Sequence, residues 1–193
     1  MELRDLVTRY AADGVLRSIL LRPSRDAGAI SVEHALAITS RGLGGDRAAQ
    51  RVSRQAGGSK RQVTLFQYEH LALLAGWLGR DAIAPACLRR NLVVSGLNLL
   101  SARSPLRDMR VVLRIGEHAA FELTGPCDPC SKMERDLGAG AYNAMRGHGG
   151  VTARVLADGR IQLGDRVWVD ADDESWLRER HGHNADRCPL TGG

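Results

Sequence analysis

The chain has 193 residues, of which 44% are hydrophobic and 25% charged, so we expect one globular domain with a packed core. No apolar run reaches the roughly 18 residues of a membrane span, and residues 1–10 lack the apolar stretch of a secretion signal. Four cysteines do not make a disulfide scaffold at this length, so we expect reduced thiols in a cytoplasmic protein without a membrane partner.

The net charge of +5 comes from arginine, because lysine occurs only at Lys60 and Lys132. A basic balance is typical of proteins that bind nucleic acid or small anions. The arginines are dispersed and only 4% of the residues are aromatic, so base-stacking surfaces, and nucleic acid as a partner, are not expected. Arginine binds phosphate in a bidentate manner, which favours a small phosphorylated ligand; solvated surface arginines are the alternative.

Short apolar runs bounded by turn residues predict a chain made mostly of β-strands. A helical turn is expected within residues 1–12, before the first strand. The strands are expected at residues 15–21, 29–38, 63–66, 90–96, 109–115, 119–124, 151–156 and 166–169. Glycine-containing turns are expected at residues 41–46, 116–118, 158–159 and 164–165.

Helical spacing is clearest at Leu71, Leu74 and Leu78, which predicts an amphipathic helix over residues 67–78. A weaker helical segment over 132–146 is interrupted by glycines, and residues 47–61 are expected to form a long loop. Short strands, hairpin turns and few helices favour a mainly β fold over an alternating βαβ sheet. We expect a closed or partly open β-barrel with a few inserted helices.

Two thiols at CxxC spacing, Cys127 and Cys130, follow an apolar run and precede Lys132. A thiol acts as nucleophile or metal ligand in its thiolate form, which a neighbouring lysine and a helix N-terminus both favour. The same spacing is typical of half a zinc site or of two inert thiols. His181, His183 and Cys188 could complete such a zinc site. Cys87, among alanine and leucine, is expected in the core.

Six short motifs occur together in a fixed order between residues 15 and 170. They are Gly42-Leu43-Gly44-Gly45-Asp46, Arg61-Gln62-Val63-Thr64-Leu65 with Glu69, Leu88-Arg89-Arg90-Asn91-Leu92-Val93-Val94-Ser95-Gly96, Gly125-Pro126-Cys127-Asp128-Pro129-Cys130, Arg146-Gly147-His148-Gly149-Gly150-Val151, and Gly159-Arg160-Ile161 followed by Gly164-Asp165-Arg166-Val167. In this order they resemble the MOSC domain family, the molybdenum cofactor sulfurase C-terminal domains.

The resemblance implies a β-barrel that receives the molybdenum cofactor, a pterin that carries a phosphate. Stand-alone bacterial members carry their cysteine in a Pro-Cys-x-Lys pattern, which here is residues 129–132. The resemblance therefore assigns Cys130 as molybdenum or sulfur ligand, with Cys127 as an auxiliary thiol in the cofactor site. Lys132 is assigned beside Cys130 in the catalytic site, where it would stabilise the thiolate or a phosphate.

Further cofactor-binding residues follow from the resemblance and from the chemistry of their side chains. Arginine would hold the pterin phosphate, asparagine offers a donor and an acceptor to a pterin edge, and a glycine pair permits close backbone approach to an anion. These residues are Arg61, Arg89, Arg90, Asn91, Arg146, Gly149 and Gly150. Surface ion pairs, a capped turn and an ordinary loop are the alternatives for them.

The chain departs from the family pattern at its glycine turn. Where the family often has histidine, this chain has Ala48, so the role of that histidine is lost or moved. Family descriptions also mention pyridoxal phosphate, and Lys132 could form its Schiff base, although nothing else in the sequence supports that cofactor.

The function implied by the resemblance is reduction of N-hydroxylated small molecules by a molybdenum-dependent oxidoreductase. The sequence has no flavin or haem motif, so electrons would come from a partner reductase. A persulfide carrier in molybdenum cofactor handling is the first alternative, and a zinc-stabilised binding module is the second. Residues 1–170 are expected to form the barrel domain, and residues 171–193 a terminal helix and a flexible tail.

Overall fold

The computed structural model describes residues 2–25, 27–50, 57–106 and 108–171. The expected terminal helix and tail lie almost wholly outside these residues. Eleven strands form in the described part of the chain. They are β1 (Gly14–Leu21), β2 (Ile30–Val32), β3 (His34–Ile38), β4 (Gly42–Leu43), β5 (Val63–Gln67), β6 (Leu92–Ser95), β7 (Val111–Ile115), β8 (Ala119–Pro126), β9 (Val151–Ala157), β10 (Gly159–Gln162) and β11 (Arg166–Ala171).

Seven of these strands close into a β-barrel in the order β11-β7-β8-β9-β5-β6-β1, and β1 pairs again with β11. Val15 of β1 lies opposite Arg166 of β11 at this closure. All pairs in the ring are antiparallel except β5 and β6, which run parallel. Closure removes the exposed edges of the ring, and the expected mainly β barrel is confirmed.

Side chains that alternate in direction along the strands fill the interior of the barrel. Leu92 and Val94 of β6 point into the interior cluster, whereas Val93 between them packs into a second cluster under the helices. Successive strand residues point to opposite faces, so a strand covered on both sides is apolar throughout, as β6 is. Phe121 of β8 is fully buried in the interior cluster.

A second sheet, β10-β3-β4, lies beside the barrel and was only partly predicted. The expected strand over residues 29–38 is two strands, β2 and β3. The glycine turn at residues 41–46 contains β4, and Gly159, expected in a turn, begins β10. A Cβ on Gly159 would lie 2.4 Å from the backbone nitrogen of Ala119, so this tight crossing requires glycine.

Four helices form in the described residues: α1 (Leu3–Val7), α2 (His70–Trp77), α3 (Ser131–Leu137) and α4 (Ala141–Ala144). A 3₁₀ helix over Pro85–Leu88 precedes β6. The predicted helix over 67–78 is confirmed as α2, shorter at its start because β5 extends to Gln67. Gly138 and Gly140, both at positive φ, separate α3 from α4 as expected. No helix of the described residues is long and apolar enough to cross a membrane.

We expect Phe121→Ala to destabilise the barrel by about 3–5 kcal/mol, because the deletion removes apolar contacts and leaves a cavity. Leu163→Ala is the matched control, since Leu163 is 41% exposed. Urea unfolding of both variants measures the effect. A loss below about 1 kcal/mol for Phe121→Ala would contradict the assignment of this ring to the barrel core.

Candidate functional site

The cysteine segment, residues 127–130, connects the end of β8 to the start of α3. Its first residue is anchored: the Cys127 amide donates to the Gly150 carbonyl at 2.8 Å, and the side chain is buried. Its last residue, Cys130, is exposed and precedes the first turn of α3. The two thiols therefore differ in access, and Cys130 is the one that a large ligand can reach.

A buried guanidinium, that of Arg90, holds the cysteine segment in place. Its Nε donates to the Gly149 carbonyl at 2.7 Å, and one terminal nitrogen donates to the Cys127 carbonyl at 2.9 Å. Further bonds reach the carbonyls of Leu88 at 3.1 Å and Asp128 at 3.4 Å. Because four carbonyls occupy this guanidinium, Arg90 supports the segment and places a fixed positive charge under it.

Burial lowers the pKa of Arg90, and the nearby thiol groups of Cys127 and Cys130 act in the opposite direction. Among the described residues, Arg90 has no carboxylate partner, and a buried cation of this kind favours negative charge beside it. The cysteine segment therefore lies in a field that suits a thiolate or an anionic ligand. The assignment of Arg90 to the cofactor site stays a prediction, and its described bonds place it beneath the segment.

Four other arginines interact with Arg90 or with one another near the cysteine segment. We call the five residues Arg22, Arg47, Arg61, Arg89 and Arg90 the arginine cluster. A terminal nitrogen of Arg61 lies 3.6 Å from the Cys127 Sγ. Arg22 lies close enough to Arg89, Arg90 and Arg47 to be repelled by them. Burial, followed by repulsion from Arg89, lowers the pKa of Arg22.

Few acidic groups balance the cluster in the described residues. Asp136 pairs with Arg89 at 3.7 Å, and the negative charge of Asp46 raises the pKa of Arg22 against the larger opposing effects.

Sequence reasoning predicted Arg61, Arg89 and Arg90 but missed Arg22 and Arg47. Arg22 follows β1 and Arg47 follows the glycine turn, and a backbone bond of 2.8 Å joins the Arg47 amide to the Arg22 carbonyl. The signal in the sequence was the position of Arg22 at the end of a predicted strand.

The buried side chain of Asn91 connects strands instead of offering free polar atoms. Its Oδ1 accepts from the Thr64 amide and hydroxyl at 3.1 and 2.9 Å. Its Nδ2 donates to the Leu20 carbonyl at 3.2 Å and to Asp46 at 3.1 Å. These four bonds use the capacity of the amide group, so Asn91 fixes the frame behind the arginine cluster.

Asp46 turns the chain two residues before Ala48, the position where the family often carries histidine. Its carboxylate accepts from the amides of Arg22 at 3.0 Å and Ala48 at 2.8 Å, besides its bond from Asn91. These bonds to nearby backbone amides stabilise the turn expected at residues 41–46. Ala48 contributes its amide, and its side chain supplies no proton donor.

Gly149 and Gly150 lie where the backbone packs closely against other backbone atoms. A Cβ on Gly149 would lie 2.2 Å from the Cys127 carbonyl, and one on Gly150 would lie 2.1 Å from the Leu65 carbonyl. Gly150 also has a φ of +88°. The backbone of this protein, not an anion, makes the close approach, so the glycine pair lets the loop pack against the cysteine segment.

Two predicted site residues lie near this frame without a described contact to it. Lys132 is half-buried in the first turn of α3, two residues after Cys130, and Arg146 is exposed after α4. Cys87 is partly buried against the cluster under the helices, in agreement with its predicted core position.

No group of three or more histidine, cysteine or acidic side chains in the described residues could hold a metal ion. His181, His183 and Cys188, which the zinc hypothesis requires, lie outside those residues. The zinc hypothesis therefore stays a prediction.

Comparison with protein families identifies the family of this chain. Residues 52–168 match the model of the family described as the MOSC domain. The chain belongs to the MOSC domain family. The match covers more than half of the chain, from the segment before β5 into β11, and the family resemblance in the sequence is confirmed. No curated protein shows a significant sequence match.

Several solved structures are similar in fold. The YuaD protein of Bacillus subtilis is 18% identical with a TM-score of 0.67, over 82% of this chain and 96% of that one. YiiM of Escherichia coli is 21% identical with a TM-score of 0.58, over 81% and 69%. YiiM of Geobacillus stearothermophilus is 17% identical with a TM-score of 0.61, over 81% and 75%. At these identities the likeness shows the fold alone.

We expect Cys130 to react with iodoacetamide at least about tenfold faster than Cys127, because a buried thiol reacts only after local opening. Cys87, which is partly buried, is the internal reference. Peptide-resolved mass spectrometry of the native protein gives each rate separately. Equal rates at Cys127 and Cys130 would contradict the anchored position of Cys127.

Proposed function

We propose that this MOSC protein binds the molybdenum cofactor at the cysteine segment, with the thiolate of Cys130 as the protein ligand of molybdenum. The observation that carries the proposal is one exposed thiol beside a cluster of arginines. The family's link to the molybdenum cofactor supports it.

The donor set agrees with the chemistry of that cofactor. A soft thiolate is a suitable ligand for a molybdenum dithiolene centre. Arg61 lies against the Cys127 thiol, and Arg22, Arg47 and Arg89 belong to the same cluster of interacting cations. A phosphate accepts two parallel hydrogen bonds from such a guanidinium group. We do not propose this direct role for Arg90, because four of its hydrogen bonds go to backbone carbonyls.

The activity that we propose is reduction of N-hydroxylated small molecules, in which two electrons and two protons from water break the N–O bond and give the N–H compound and one water molecule. The bound cofactor would supply the electron-transfer chemistry, and a partner reductase would supply the electrons. The protein would hold Cys130 toward the ligand, keep Cys127 fixed beneath it, and neutralise the cofactor's negative charge. Lys132 and Arg146 remain proposed contributors at the rim of the site.

A sulfur carrier is the second candidate, in which Cys130 holds a persulfide and no reduction follows. The same exposed thiol in a positive field favours it, because a persulfide is an anion at neutral pH. The two candidates differ in what the purified protein contains: molybdenum for the first, sulfane sulfur without molybdenum for the second.

We expect near-stoichiometric molybdenum in the wild-type protein made in a host that synthesises the cofactor, and a loss of at least about tenfold in Cys130→Ser. Serine has nearly the volume of cysteine but is a poor ligand for a soft metal, so the fold persists while the ligand is lost. Metal analysis for molybdenum and zinc, with a pterin assay, measures both components.

Two controls make the result specific. Cys87→Ser changes a partly buried thiol away from the segment and is expected to keep full molybdenum. Cys127→Ser is expected to lose less than Cys130→Ser, because Cys127 lies beneath the site. Zinc without molybdenum would contradict the proposal in favour of the zinc module. Equal losses in Cys127→Ser and Cys130→Ser would replace the single ligand with a dithiol site.

A further inference from the structure

Two histidines pack against each other beside the glycine pair, and we call His70 and His148 the histidine pair. Their ring centroids lie 4.7 Å apart, with the rings nearly perpendicular. The ring of His148 also lies 5.0 Å from Trp77, which is on α2 like His70. His148 thus packs against α2 between its first and last residues.

The Nδ1 atoms of both rings are buried, and neither has a hydrogen-bond partner among the described residues. A protonated imidazole carries N–H on both nitrogens, so each added proton leaves a buried donor without an acceptor. Two protonated rings at this separation would also repel each other.

Burial and the charges around His70 also favour its neutral form. Burial lowers the pKa of His70 below its usual 6.5, and the Coulomb interaction with His148 lowers it further. A hydrogen bond with the His148 backbone, and then the charge of Glu69, act in the opposite direction without reversing the shift. The Glu69 carboxylate already accepts from the Gly96 amide at 2.8 Å and from the Gln67 amide group. Phe66 and Trp77, the other rings near the pair, carry no charge.

The histidine pair is connected to the cysteine segment through consecutive residues. Gly149 and Gly150 follow His148 directly. The Gly149 carbonyl accepts from Arg90, and the Gly150 carbonyl accepts from the Cys127 amide. A displacement of His148 from α2 therefore pulls on two of the bonds that hold the segment.

We propose that the histidine pair is a positioning element for the cysteine segment, which holds the segment while the imidazole of His70 is neutral and releases it when His70 is protonated. His148 and His70 act through the glycine pair and do not touch the thiols in this role. The inference goes beyond the proposed function, because it concerns the protein alone and holds whether or not a cofactor binds.

The sign of the pH dependence follows from proton binding. The open state, with His70 in water, titrates near 6.5, and the closed state titrates lower. Above that pH both states are neutral and opening is insensitive to pH. As the pH falls through 6.5 toward the closed-state pKa, the open state binds more protons and opening becomes more favourable.

Hydrogen exchange of the full chain, followed by mass spectrometry, tests the proposal at about pH 8 and about pH 5.5. The reporter is the peptide with the amides of Cys127, Asp128 and Cys130, with rates corrected for intrinsic exchange. We expect its opening constant to rise about threefold or more at the lower pH in the wild type. In His70→Gln, which keeps a polar side chain at the start of α2 but has no imidazole to protonate, the rise is expected to fall below about 1.5-fold.

A second variant and a control keep the result interpretable if His70→Gln does not fold. His148→Phe keeps a ring against α2 but removes the Coulomb interaction that lowers the pKa of His70, and it is expected to reduce the rise as well. His118→Gln changes a histidine in the β7–β8 hairpin, where its side chain is 73% exposed, and is expected to behave as the wild type. An equal rise in wild type and in a folded variant of the histidine pair would overturn the proposal, as would no rise in the wild type.

Discussion

The site depends on one buried cation, the guanidinium of Arg90, bonded to backbone carbonyls from three parts of the chain. Leu88 belongs to the 3₁₀ helix, Gly149 to the loop before β9, and Cys127 to the segment after β8. Removing a buried hydrogen-bonded charge leaves its acceptors unsatisfied, so such a group fixes the relative positions of all the segments that it joins. The location of the exposed thiol of Cys130 follows from this constraint.

The charge of the Arg90 guanidinium also supports the proposed chemistry. Its hydrogen bonds go to backbone carbonyls, and it adds positive charge beneath a segment near other arginines. An anionic ligand would relieve the repulsion among these cations, so ligand binding is coupled to the electrostatics of the cluster. The closed barrel provides the rigid frame for this arrangement, and β6, buried on both faces, connects the barrel core to the cluster under the helices.

Strand positions were predictable because they depend on local alternation, and the barrel followed from many short strands and hairpins. β4 and β10 were missed, since short pairings at glycine turns are formed by tertiary contacts that no local pattern records. In the site, motif order points to Cys130 and Arg61, and these assignments stay predictions. Arg22 and Arg47 were missed because folding, not sequence proximity, brings them to the cluster. The bonds of Arg90 to backbone carbonyls could not be predicted, because a sequence does not show which acceptors a buried guanidinium meets.

X-ray absorption at the molybdenum edge tests the central claim most directly, on wild type and Cys130→Ala loaded with cofactor to the same extent. The account predicts one more sulfur neighbour at bonding distance in the wild type, because the Cys130 thiolate adds to the sulfurs of the cofactor. The same number of sulfur neighbours in both proteins would contradict ligation by Cys130 and leave the arginine cluster as the only proposed contact to the cofactor.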